Sequence, residues 1–191
     1  MGDHVLLIGM MGSGKSTIGR IVAVRMRRPF YDSDDEVERR CHMTVPAIFA
    51  VRGEAAFRVE ERAALCSALS RPTPSVIAVA GGAVIDPETR RRLRSGGLVV
   101  WLDAAPGALA GRLGSGVGRP LLKDDPAGAL RRLDARRRPI YRELSDSAVP
   151  AGSRLPEAIA EIVVRAAYEH LDALAESDED HLRDCQLVGR S

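Results

Sequence analysis

The chain has 191 residues, 45% hydrophobic and 28% charged, with a formal net charge of +2. That length fits a single domain that buries most of its apolar surface without a disulfide staple, and the near-neutral balance does not call for nucleic acid as a partner. Cys41, Cys66 and Cys185 lie too far apart for a CxxC pair, and HVLLIGM is much shorter than the roughly 20 apolar residues of a membrane span. Reduced thiols, no structural zinc, no membrane contact and a cytoplasmic monomer are therefore expected.

Val5 to Ile8 is a short, continuously apolar run of the kind found in a central parallel strand. A glycine-rich turn follows at once. Ile18, Ile21, Val22, Val24 and Met26 then fall at helical spacing, and Pro29 stops that helix before a second strand at Phe30 and Tyr31. Asp34 to Arg40 and Val45 to Val51 read as short helices, with Gly53 breaking the second before a longer helical stretch through Leu69. Ser75 to Val79 and Leu98 to Leu102 are the third and fourth strands, separated by segments long enough for crossover helices. The alternation predicts a three-layer α/β/α fold around a parallel sheet of about five strands.

Residues 112–125 are rich in glycine and proline and read as a mobile lid. Helices are expected again over 127–144 and from Leu155 to about Ala175. One domain, 1–170, is predicted, followed by an acidic and disordered tail over 171–191.

Gly9-Met10-Met11-Gly12-Ser13-Gly14-Lys15-Ser16 satisfies GxxxxGK[ST], with the strand before and the helix after that give the motif meaning. Backbone N–H groups of such a loop, Gly12, Ser13 and Gly14 among them, form an anion nest to which the helix N-terminus adds its positive end. Lys15 is placed to reach the β- and γ-phosphates of ATP, Ser16 to ligate Mg²⁺, and Thr17 to contact the nucleotide near its α-phosphate. A tight turn alone explains the glycines but leaves Lys15 and Ser16 without a reason. The motif holds phosphates; it does not separate a kinase from a GTPase or a binding module.

Asp32 and Asp34 stand just past the second strand, at the edge where open α/β sheets bind ligands. Two readings fit. DSDDE can be an acidic helix N-terminus with a capping residue, or its alternating carboxylates can divide the work of holding metal-bound water and accepting a proton from a hydroxyl.

FYDSD, IFAVRGEAAFRVEE, AGGAV, GRPLL and RRRPIY follow the P-loop in that order, and together closely resemble shikimate kinases over about residues 9–154. The resemblance implies the P-loop kinase fold, Mg-dependent phosphorylation of the 3-hydroxyl of shikimate by ATP, and a place in aromatic amino acid biosynthesis. It makes Asp34 the shikimate-binding base or orienting group, and Asp32 a metal contact through water. Arg58 and Arg137 become the forks for the shikimate carboxylate, a task that suits planar guanidinium groups. Gly81 and Gly82 offer close backbone approach to the same substrate. Arg119 matches the lid arginine that stabilises the transferring phosphoryl group, and Arg112 and Arg154 match positions that flank adenine, though a solvated face also accounts for these two. Glu61, one turn beyond Arg58, is placed to orient it.

Two positions depart from the family pattern: Ala80 and His42 stand where glycine is usual. Ala80 harms the site only if its φ is positive, and tolerance is expected; His42 is expected in the left-handed region as a helix end. Two alternatives are a related kinase for gluconate or a cyclitol, slightly favoured by Ala80, and an inactive nucleotide-binding relative. Three Phe, three Tyr and one Trp are few for a surface that stacks bases.

Overall fold

The computed structural model describes residues 3–113, 120–122 and 125–188. Its five strands are β1 (His4–Ile8), β2 (Phe30–Asp32), β3 (Val76–Ala78), β4 (Gly97–Asp103) and β5 (Ser147–Pro150), all parallel, in the order β2-β3-β1-β4-β5. Successive side chains of β1 point to opposite faces, yet all of them are buried, so both faces of the sheet are covered.

Helices α1 (Lys15–Met26), α2 (Ser33–Cys41), α3 (Val45–Leu69), α4 (Pro87–Gly96), α5 (Pro106–Leu113), α6 (Pro126–Leu144) and α7 (Pro156–Val188) supply that cover. α1 packs on α7, and α3 on α4. Among the described residues no helix is long and apolar enough to cross a membrane.

Local chemistry sets the boundaries. Asp32 caps α2 by accepting from the Asp34 N–H, and three acids in the first turn with Arg39 and Arg40 in the last complement the helix dipole. His42 ends α2 at φ 51, in the left-handed region expected for it. Gly53, at φ 78 and ψ 171, breaks α3 into the two expected helices. A separate small core of Val37, Ile48, Phe57 and Ala64 joins α2 to α3. The helices that carry Asp34, and Arg58 with Glu61, thus have a core of their own.

Two elements go beyond the sequence reading. β5 was not located there, because SAVP is a short edge strand with only Val149 fully buried and so has little apolar signal. α7 continues to Val188, so the backbone is helical through most of the region expected as a tail beyond 171. Half-buried Leu171 extends the apolar stripe, and Ala173, Leu174, Ala175 and Glu176 are good helix formers that propagate the helix.

Candidate active site

The carboxyl ends of β1, β2 and β3 open into a cleft of about 840 Å³. Every predicted site residue among the described residues lines it: Gly12 to Thr17, Asp32, Arg112 and Arg154 at one end, and Asp34, Arg58, Glu61, Gly81, Gly82 and Arg137 at the other. Arg119, with 114–119 and 123–124 of the expected lid, lies outside the described residues.

The glycine-rich loop has the backbone its composition requires. Gly12 and Gly14 adopt φ 78 and 96, conformations that an L side chain resists. Gly14 is the N-cap of α1, so the first N–H groups of that helix face the cleft without intrahelical partners. Lys15 Nζ donates to the carbonyls of Gly9 and Met10 at 2.9 and 3.1 Å, which folds the ammonium over its own loop. The Ser16 hydroxyl donates to Asp32 Oδ2 at 2.6 Å. Asp32 therefore caps a helix and also meets the loop serine; the two readings of its sequence context are not exclusive.

Arg112 ties this end together. Its Nη1 donates to the Gly12 carbonyl at 3.2 Å, and its Nη2 to those of Ala151 and Gly152, both at 2.8 Å. It is exposed to solvent and yet anchored to backbone on two sides. Arg154 is exposed at the cleft rim.

At the acceptor end, Arg58 is held along both edges of its guanidinium. Nε and Nη2 donate to Glu54 Oε1 at 3.2 and 2.8 Å, while Nη1 donates to both oxygens of Glu61 at 3.0 and 2.9 Å. Glu61 and Arg137 are each only 2% exposed. Burial raises the Glu61 carboxyl above its ordinary range, with Arg58 and then Arg137 opposing the rise.

Gly81 and Gly82 matter through space rather than through φ. A Cβ on Gly82 would run into the Arg58 guanidinium, 2.7 Å from Cζ, and one on Gly81 would stand 3.3 Å from Arg137 Nη1. Ala80 has an ordinary negative φ, since among the described residues only Arg27 and His42 are non-glycines at positive φ. Its N–H donates to Ser33 Oγ at 2.8 Å, so the methyl group that replaces hydrogen here is accommodated without backbone strain.

Asp34 is water-accessible from the cleft but crowded by protein on its other sides. That crowding first, and then the neighbouring Asp32 carboxylate, push its pKa from 3.8 to about 6, with the Lys15 charge opposing them. A carboxylate poised near neutrality beside a phosphate nest suits acceptance of a proton or hydrogen bond from a hydroxyl.

Several cleft residues escaped the sequence reading. Val45, Pro46, Phe49 and Phe57 form an apolar wall, with the two phenylalanine rings 4.8 Å apart. The signal was present in IFAVRGEAAF, but an apolar face on a helix is read as core by default. Glu54, which holds Arg58, and Tyr141, which donates to the Gly81 carbonyl, also escaped the sequence reading, and the Tyr141 contact has no local sequence signal.

The family model described as shikimate kinase matches residues 11–168. The chain is 40% identical over 180 residues to a shikimate kinase from Cupriavidus pinatubonensis, covering 92% of this chain and 93% of that one. It is 43% identical over 166 residues to a shikimate kinase from Pseudomonas syringae pv. tomato, covering 86% and 96%. Among solved structures, the shikimate kinase from Acinetobacter baumannii in complex with shikimate matches with a TM-score of 0.84 at 34% identity, covering 87% of this chain and 93% of that one.

Proposed function

Because this chain belongs to the shikimate kinase family, its activity is ATP-dependent phosphorylation of shikimate, and we propose that the two ends of the cleft divide that work. The loop of Gly12 to Thr17 holds the phosphates of ATP, with Lys15 on the β- and γ-phosphates, Arg112 and Arg154 beside the base, and Arg119 closing over the transferring group. Asp34 orients the 3-hydroxyl and accepts its proton as the oxygen attacks the γ-phosphorus and the bridging bond to ADP breaks. Arg58 and Arg137 hold the shikimate carboxylate, and the bare backbone of Gly81 and Gly82 lets the acceptor come close.

The observation that carries this reading is the geometry of one cleft: a phosphate nest at one end, and Asp34 with two arginines at the other. With Nε and one Nη2 proton given to Glu54, Arg58 keeps a second Nη2 proton for a ligand. The apolar wall of Phe49 and Phe57 suits the face of a small carbocycle.

Mg²⁺ fits the oxygen donors present, with Ser16 as direct ligand and Asp32 acting through water. When bound it neutralises charge developing on the β- and γ-phosphates. We further propose that the chain acts as a monomer in the cytoplasm. Purified protein incubated with Mg-ATP should form ADP in strict dependence on shikimate, with gluconate inert; absence of turnover at saturating shikimate sinks the reading.

A further inference from the structure

We propose that Tyr141 is a positioning residue for acceptor binding, its hydroxyl holding the Arg137 guanidinium and the Gly81 backbone in fixed relation to the P-loop. The proposal rests on the reading of Arg137 as part of the carboxylate site.

Tyr141 follows Arg137 by four residues on α6, so the two side chains share one face of that helix. The phenol is 0% exposed. Its hydroxyl donates to the Gly81 carbonyl at 2.9 Å, across 60 residues of sequence. Having donated its single proton there, the oxygen keeps lone pairs for the neighbouring Arg137 guanidinium, whose Nη1 stands beside it at the Gly81 backbone. The sulfur of Met10, in the P-loop, is 3.9 Å from the same oxygen.

These groups converge on one point. A Cβ on Gly81 would stand 3.3 Å from both Tyr141 Oη and Arg137 Nη1, and 3.0 Å from the Gly9 carbonyl. Arg137 needs such a guide, because its buried Nε has no hydrogen-bond partner among the described residues. A guanidinium held at one end only can rotate, and a small rotation misdirects the fork.

The ring has separate support. It stacks on Trp101 of β4 with centroids 6.0 Å apart and planes at 30°. Removing only the hydroxyl therefore leaves the packing and takes away the link between Arg137 and the Gly81 backbone.

The test is Tyr141→Phe in the full chain, with steady-state kinetics for both substrates and a thermal melt. The KM for shikimate should rise about three- to tenfold, the effect of one lost hydrogen bond, with the KM for ATP within about twofold. In a double-mutant cycle with Arg137→Lys, the two effects on shikimate KM should be less than additive. Additive effects, equal rises for both substrates, or an unchanged shikimate KM in Tyr141→Phe overturn the proposal while leaving the carboxylate reading intact. If Arg137→Lys alone leaves that KM unchanged, the carboxylate reading falls, and the proposal with it. Wild-type protein gives an independent readout should the phenylalanine variant not fold. The proton NMR signal of the buried hydroxyl should shift on addition of shikimate and hold still on addition of ADP, and a signal indifferent to shikimate counts against the proposal.

Discussion

Arg58 Nη1 donates to both carboxylate oxygens of Glu61, one helical turn further along α3, and Glu61 has almost no contact with solvent. A buried carboxylate bonded to Arg58 fixes where that cation can point, and its charge also acts on Arg137. Glu61→Gln keeps the shape but removes the charge. Its shikimate KM should rise about tenfold and its stability fall by about 2 kcal/mol in chemical denaturation, in line with loss of a charged hydrogen bond. A variant with wild-type KM would show that Arg58 needs no such guide.

Gly82→Ala separates space from backbone freedom. At φ −90 and ψ −21 the backbone of Gly82 accepts alanine, but the new methyl group would take the place of the Arg58 guanidinium. We expect melting within a few degrees of wild type, a shift that corresponds to about 1 kcal/mol, together with a clear rise in shikimate KM and an unchanged KM for ATP. Unaltered shikimate kinetics would mean that Arg58 can leave its seat over Gly82 without consequence.

Ala80→Gly tests the departure from the family pattern in the opposite direction. Because Ala80 already has an ordinary φ, restoring glycine brings no relief of strain and adds freedom to the unfolded chain. The variant should lose about 0.5–1 kcal/mol of stability and turn over shikimate as the wild type does. A gain in activity on substitution would show that the methyl group obstructs the acceptor.

Asp34 gives a pH prediction with a definite sign. Its pKa is raised in the fold, from 3.8 to about 6. The folded protein therefore binds this proton more tightly than the unfolded chain. The stability it contributes is fully present below about pH 4 and is lost as pH rises through about 6. Carboxyl ¹³C NMR, with Asp34→Asn for assignment, should show one aspartate titrating near pH 6 in the protein without ligands. A titration at the ordinary aspartate value would remove the poised base from the mechanism.

Much of this site was legible before the fold. The P-loop is a contiguous motif, and Arg58 with Glu61 is a one-turn pairing, so short-range spacing carries both. Left-handed His42 and the break at Gly53 were also readable, because each is a local backbone demand. What escaped depends on distance along the chain. Tyr141 acquires its contact with Gly81 only when α6 is laid beside the end of β3. Ser33 supports Ala80 only once β2 pairs with β3. The edge strand β5 is too short and too exposed to announce itself by apolar content.

Arg137 is proposed as the reader of the acceptor's carboxylate. Calorimetric titration of shikimate, and separately of Mg-ADP, into wild-type and Arg137→Ala protein tests that claim most directly. Loss of a charge-assisted pair of hydrogen bonds should weaken shikimate at least about tenfold and leave Mg-ADP within about twofold. Equal weakening of both ligands, or no weakening of shikimate, would contradict it.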